Sequence, residues 1–476
     1  MKSGLLKKFL SFSIGSWLSI IIGFISTPII TRILSPEEFG KSSLFMVILN
    51  VLLLISLFGT DQSFVRFFYE KDEETRKKLL RDCLKPPLFS FLILSIILLL
   101  FYKQTSLFVF SEESIWLAVI LVFSLFIQIV NRYAVLIIRM EQKGFLFSLL
   151  QLFSKLFEFV GILAFAYYLG STYKILIYSQ ALSYLFVTII AIVFALSYWN
   201  FFKKNKVTSQ HSMKEIVYYG VPLSITLLVT WLFQSTDRIA IKHWSTLTEL
   251  GLYTAAFKII SILNVIQTTF TTFWAPVSYE RYAKNPEDTE FFSNMNQIIT
   301  LAMFIVGIGT LMFKDLIIYL LGPSYREVAT IMPFLVFLPV MYTISETSVI
   351  GINFSKKTKW HIVISVSACL INVIGNIILV PKLGAKGAAI STGIAYFAFA
   401  SLRTHVSLRY YKVDYGLRKF YFSSLLLMVY AWVNTQYNLL ILNIVIGLII
   451  LVIICLLYKD IVRGFMAKDK KIKTVS

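Results

Sequence analysis

Residues 145–168 read FLFSLLQLFSKLFEFVGILAFAYY. As a helix this run reaches about 36 Å, enough to cross a hydrocarbon core of about 30 Å. Lys155 and Glu158 stand near its middle. A charge at that depth costs about 2.5–3.5 kcal/mol on insertion scales, so the face that carries it must meet protein or water. Ser148, Gln151, Lys155 and Glu158 recur at steps of three and four, which puts them on one side of a helix. Two readings follow: a local Lys155–Glu158 ion pair, or a polar stripe lining a cavity.

The same pattern runs through the chain. Further apolar stretches cover 10–33, 42–60, 88–102, 115–138, 175–198, 217–241, 252–277, 297–320, 328–352, 362–380, 388–408, 420–433 and 439–458. The third and thirteenth spans in chain order, 88–102 and 420–433, are short and can extend into amphipathic neighbours. Only helices or closed barrels satisfy the backbone in lipid. Barrel strands alternate over about ten residues, whereas these stretches are continuous and mostly about twice as long. The expectation is an all-α polytopic membrane protein with about 14 transmembrane helices. Composition agrees: 15% of the 476 residues are charged and 57% hydrophobic, against about 25% charged in soluble proteins.

The net charge of +20 is read as topology and contact with an anionic leaflet, not as nucleic-acid binding. With the N-terminus inside, cytoplasmic segments carry roughly 31 Lys and Arg and the opposite loops roughly 7, which places both termini in the cytoplasm. The largest inner loop contains EKDEETRKKLLRD at 70–82 and reads as an interfacial helix. The three cysteines and four histidines show no paired or ligand spacing, so no disulfide framework, metal site or cofactor is expected. No G-x-x-x-x-G-K-[ST] phosphate loop occurs, which disfavours an ATP-driven pump. The outer loops are too short for the extracytoplasmic domain that sugar polymerases and ligases usually carry.

An internal repeat organises the spans. Gly15-Ser16-Trp17-Leu18-Ser19-Ile20 and Gly220-Val221-Pro222-Leu223-Ser224-Ile225 both fit G-x-x-L-S-I, 205 residues apart, a register that aligns Arg32 with Asp237. Each helix precedes a short loop and a glycine opening the next, Ser35-Pro36-Glu37-Glu38-Phe39-Gly40 and Thr248-Glu249-Leu250-Gly251-Leu252-Tyr253. Six spans separate the repeats, so the halves point the same way. In that parallel plan the substrate site lies near the midplane. The expected organisation is an N-terminal six-helix bundle (1–200), a cytoplasmic linker (201–216), a C-terminal six-helix bundle (217–410), two accessory helices (411–458) and a basic cytoplasmic tail (459–476), with a central cavity between the bundles.

Five cations are candidates for that cavity: Arg32, Arg132, Lys155, Arg238 and Lys258, with Gln151 beside them. The acids are Glu158, Asp237 and Asp61, candidates for ion coupling. Arg132 lies about two turns from a helix end, so snorkelling is an alternative. Asp237 and Arg238 are adjacent and point about 100° apart, so a structural pair at the rim is the alternative there. A cationic cavity attracts an anion, and guanidinium groups match phosphate oxygens, so a lipid-linked diphosphate suits this field.

The residues carry a family resemblance. Pro28-x-x-x-Arg32-x-Leu34-x-Pro36-Glu37-Glu38-Phe39-Gly40, Gly220-Val221-Pro222-Leu223 leading to Asp237-Arg238, Gly251-x-Tyr253, and Asn372…Asn376…Pro381-x-x-Gly384-x-x-Gly387-Ala388-Ala389 resemble the polysaccharide-flippase branch, Wzx-like O-antigen type, of the multidrug/oligosaccharidyl-lipid/polysaccharide exporter superfamily. The resemblance implies a non-enzymatic flippase of the bacterial inner membrane. It would move undecaprenyl-pyrophosphate-linked oligosaccharide by alternating access, coupled to a proton or sodium gradient. Polysaccharide polymerase or chain-length proteins would be partners. A multidrug antiporter and a lipid II flippase are the alternative readings.

Overall fold

The computed structural model describes residues 2–70, 73–200 and 212–461. The loop 201–211 and the tail from 462, both expected as cytoplasmic segments, lie outside them. Every regular element among the described residues is helical. Close packing divides the chain into two units, Met1–Ser235 and Thr236–Ser476, with the boundary inside one helix.

The first unit holds α1 (Lys2–Ile33), α2 (Pro36–Leu57), α3 (Thr60–Phe67), α4 (Glu73–Leu100), α5 (Tyr102–Phe110), α6 (Ile115–Met140), α7 (Gly144–Leu169), α8 (Lys174–Phe194), α9 (Leu196–Trp199) and the larger part of α10 (Met213–Trp244). The rest of α10 opens the second unit. There follow α11 (Leu247–Ile260), α12 (Leu263–Lys284), α13 (Thr289–Met312), α14 (Lys314–Tyr319), α15 (Val328–Leu335), α16 (Phe337–Ser348), α17 (Ile350–Phe354), α18 (Lys359–Leu408), α19 (Leu417–Gln436) and α20 (Leu440–Leu457).

Nine helices among the described residues are each long and apolar enough to cross a membrane, and α11 with α12 form a tenth span bent by 42°. α18 contains two spans, because Gly384 breaks it with φ 56° and ψ −132°. Its halves fold back on each other, and Asn372 Nδ2 meets Thr392 Oγ1 at 3.3 Å. α1 and α10, of 32 residues each, and α19, of 20, are further helices long enough to cross a bilayer. The short span expected at 88–102 is the second half of α4, which runs unbroken from the basic stretch through Pro86 and Pro87. Residues 73–82 of the interfacial helix expected at 70–82 are thus continuous with that span.

The two units share one capping device. Ser35 Oγ accepts from the Glu38 backbone N at 3.4 Å, and Thr246 Oγ1 accepts from the Glu249 backbone N at 3.2 Å. By sequence each glutamate would close its own capping box. Each instead reaches another helix. Glu38 Oε2 accepts from the Tyr173 backbone N at 2.7 Å, just ahead of α8. Glu249 Oε2 accepts from the Ala385 backbone N at 2.6 Å, at the start of the second half of α18. A helix N-terminus leaves N–H groups without intrahelical partners and carries partial positive charge, so a carboxylate there satisfies both.

These caps set the register of the repeat at 211 residues, from Ser35 to Thr246. That differs from the 205 of the G-x-x-L-S-I match, and at 211 Arg32 aligns with His243 rather than Asp237. Short apolar matches recur by chance in apolar helices, whereas a cap has specific chemistry. Glu38→Ala should cost about 0.5–2 kcal/mol, the usual worth of a helix cap, read as a lowered melting temperature of the detergent-purified protein. An unchanged melt would mean that the cap carries no stability.

α19 and α20 are built into the second unit. Asn443 Nδ2 donates to the backbone oxygens of Leu311 and Met312 at 2.9 and 3.3 Å, closing the C-terminus of α13. Tyr430 Oη donates to Asn443 Oδ1 at 2.5 Å and holds that amide in place.

Candidate functional site

The charged constellation of the first unit starts at a break. α2 ends at Phe58 and Gly59, both left-handed with φ 47° and 68°. A Cβ on Gly59 would lie 2.0 Å from the Gly220 carbonyl oxygen, so α10 can approach only a glycine here. The turn starts α3 and buries Asp61 in its first turn. α3 is held on two sides: Thr60 Oγ1 and Tyr133 Oη lie 2.7 Å apart, and Ser63 Oγ donates to the Ile216 carbonyl at 2.6 Å.

Asp61 Oδ2 accepts from Arg132 Nε at 3.0 Å, from Arg132 Nη2 at 2.8 Å and from Gln62 Nε2 at 2.8 Å. The Asp61 side chain is 3% exposed and that of Arg132 47%. Arg132 lies eight residues before the end of α6, about 12 Å along the helix. Next to it, Asn131 Nδ2 donates to Thr188 Oγ1 on α8 at 2.9 Å.

Lys155 and Glu158 do form the local ion pair, at 2.7 Å, with side chains 44% and 26% exposed. The polar stripe coexists with it: Gln151 is half-buried one turn before Lys155, and Ser148 is buried. Both pairs have the same build, with an open cation and a more buried acid.

Arg32 is not part of this group. It is exposed at the end of α1, and neither a hydrogen bond nor an ion pair engages it among the described residues. α2, 22 residues or about 33 Å long, separates the α1–α2 turn beside Arg32 from Asp61. Arg32 therefore stands apart from the Asp61–Arg132 pair.

The second unit holds the other three candidates, and they diverge. Asp237 is buried and accepts four hydrogen bonds. Asn372 Nδ2 and Asn376 Nδ2 donate to Oδ1 at 3.0 and 2.8 Å, and Tyr253 Oη and Thr392 Oγ1 donate to Oδ2 at 2.5 and 2.6 Å. All four donors are neutral. Asn376 Oδ1 is buried without a hydrogen-bond partner.

Arg238 does not pair with its neighbour, which corrects the rim-pair reading. Its guanidinium sits 5.0 Å from the centre of the Phe257 ring, and its Nε is buried without a hydrogen bond. Adjacent helical residues diverge by about 100°. Lys258 is exposed in the last turn of α11, where a cation complements the helix dipole.

Sequence reasoning gave no roles to the donors around Asp237. The signal was present: Asn372 and Asn376 sit four residues apart in an apolar helix, which puts two amides on one face. The second unit also holds Glu346 on α16 and Arg403 on α18. They form a buried pair at 2.7 Å, with side chains 13% and 9% exposed. Arg403 Nη1 also reaches Ser345 Oγ at 2.8 Å, and its guanidinium lies over the Tyr342 and Phe399 rings.

The sequence profile of the polysaccharide biosynthesis protein family matches residues 5–281. No curated protein matches the chain. Among solved structures, lipid II flippase MurJ in an inward closed conformation is 18% identical with a TM-score of 0.69, covering 95% of this chain and 99% of that one. A multidrug resistance MATE family transporter of the MOP superfamily, inward-facing, is 18% identical with a TM-score of 0.60, covering 82% of this chain and 94% of that one. An outward-facing MATE transporter is 17% identical with a TM-score of 0.56, covering 85% and 95%. At these identities the likeness concerns the fold. The chain is a multi-pass membrane protein of the polysaccharide biosynthesis protein family, folded like the MOP-superfamily transporters.

Proposed function

We propose that the protein is a flippase that carries an oligosaccharide linked to a polyprenyl diphosphate across the bacterial inner membrane by alternating access. Both termini would face the cytoplasm. The observation that carries this reading is the pair of half-exposed cations of the first unit, Arg132 and Lys155, each ion-paired with a more buried acid. Neither can end in hydrocarbon without a cost of several kcal/mol, so their open sides face water. Two cations in a water-filled recess suit the diphosphate that joins sugar to lipid, and guanidinium and ammonium both bind phosphate. Family membership supports a role in making polysaccharide. The protein performs transport, not bond chemistry, with polymerase or chain-length proteins acting on its product.

Deleting the gene tests the reading. Lipid-linked oligosaccharide should accumulate on the inner leaflet, and surface polysaccharide should disappear. Normal export in the deletion strain would end the proposal. Accumulation of the peptidoglycan precursor lipid II instead would redirect it to that substrate, which carries the same diphosphate.

Asp237 is the proposed ion-coupling residue of the second unit. It is a buried carboxylate whose four hydrogen-bond donors are all neutral, and an acid buried within a transporter's membrane helices is the default candidate for ion coupling. Asp237→Asn keeps the shape and removes the charge. Transport should lose its dependence on the ion gradient while protein abundance stays near normal. Reduced abundance with gradient dependence retained would assign Asp237 to structure.

A further inference from the structure

We propose that Asp61 is a built-in competitor for the substrate's diphosphate at Arg132, so that headgroup binding there is linked to uptake of a proton by Asp61. The inference rests on the flippase reading and deepens it.

The geometry has three parts. First, the Nε–Nη2 edge of Arg132 is turned onto one oxygen, Asp61 Oδ2, at 3.0 and 2.8 Å. That edge is one of the two forks with which a guanidinium binds a carboxylate or phosphate bidentately. Second, the acid lies behind the cation: Asp61 is 3% exposed and Arg132 47%. A diphosphate arriving from the open side meets the guanidinium and not the carboxylate. Third, among the described residues Arg132 is the one cation hydrogen-bonded or ion-paired to Asp61. Its own element supplies the Gln62 amide. From α6 comes the Arg132 guanidinium. Tyr133 Oη is itself engaged with Thr60 and with the Cys83 carbonyl, at 2.7 and 3.0 Å. Lys155 pairs with its own Glu158.

When a diphosphate takes the Arg132 fork, Asp61 is left buried with one amide and neutral groups. An ionised carboxylate in that position is strongly disfavoured and neutralises instead. The proton comes from water, resides on the Asp61 carboxyl while the headgroup is bound, and returns to water when the headgroup leaves and Arg132 swings back. Arg132 stays charged throughout. Glu158 behaves differently: at 26% exposed it can rehydrate when Lys155 turns to the ligand, so no second proton is required.

Calorimetric titration of the full-length protein in detergent with farnesyl diphosphate tests this, using buffers of different ionisation enthalpy between pH 6.5 and 8. The wild type should take up about one proton per ligand more than Asp61→Asn, the difference expected of one linked group. At the upper end of the range Asp61→Asn should bind roughly tenfold tighter, because the competing charge is gone. Equal proton uptake in both proteins, or weaker binding by Asp61→Asn, would overturn the proposal and leave Asp61 as a residue that aims Arg132. Should Asp61→Asn fail to fold, the wild type decides at pH 8, where the diphosphate is fully ionised: heats that change with buffer support the linkage, and heats that do not defeat it. Failure of the flippase reading looks different. There, farnesyl diphosphate would not bind the wild type at all, or would bind Arg132→Ala equally well.

Discussion

Arg132→Ala should abolish export of surface polysaccharide and also lower the stability of the protein, and the two effects should separate in a double variant. A charge-assisted bidentate contact to phosphate is worth about 3 kcal/mol, or about a hundredfold in affinity. Truncation removes that contact. It also strands Asp61, 3% exposed, at a cost of about 1–3 kcal/mol for a buried group without its partner. Adding Asp61→Asn should restore the melting temperature and not the export, because the stranded charge is gone while the cation is still missing. Arg132→Lys should fall between, since it keeps the charge and loses the planar fork. Export assays in a deletion strain, read beside melting of the purified variants, give both numbers. Recovery of export by the double variant would show that Arg132 serves only to neutralise Asp61.

Gly384→Ala should destabilise the protein by about 2–5 kcal/mol, combining strain at a special backbone position with a lost cap. Gly384 has φ 56° and ψ −132°, a region that side chains rarely enter. The new Cβ would lie 1.6 Å from Glu249 Oε2, so the carboxylate would have to leave the Ala385 N–H and the Ser245 hydroxyl, which it now accepts from at 2.6 and 2.8 Å. Glu249→Ala alone should lose only the cap, about 0.5–2 kcal/mol. The double variant should relieve the collision and keep the strain, so its melting temperature should lie between those of Gly384→Ala and Glu249→Ala. A Gly384→Ala protein that melts with the wild type would mean that the hairpin of α18 does not depend on this turn.

Much of the architecture was legible because a bilayer imposes strict rules. A run such as 145–168 must be a helix, since no other open structure satisfies its backbone in lipid. Charges along one face of such a run mark a polar surface, since their burial in hydrocarbon is costly. Lys155, Glu158, Gln151, Asp237 and Arg132 were singled out this way. The grouping was harder. Arg32 looked equivalent to Arg132 as an intramembrane cation, and the length of α2 sets it apart from the Asp61–Arg132 pair. The repeat register was misplaced by six residues because an apolar hexamer carries little information, whereas Ser35 and Thr246 matter through the N–H groups they accept from.

The amino-acid order alone was enough to require membrane helices, their number, and the presence of charge inside them, because hydrophobicity and helical period are local properties. Which charge meets which was settled by distance in space. Asp61 precedes Arg132 by 71 residues and still shares two hydrogen bonds with it. Asp237 and Arg238 are neighbours in the chain and turn to different partners. Electrostatic and hydrogen-bond energies depend on separation in three dimensions and on exclusion of water, and both arise only once the helices pack.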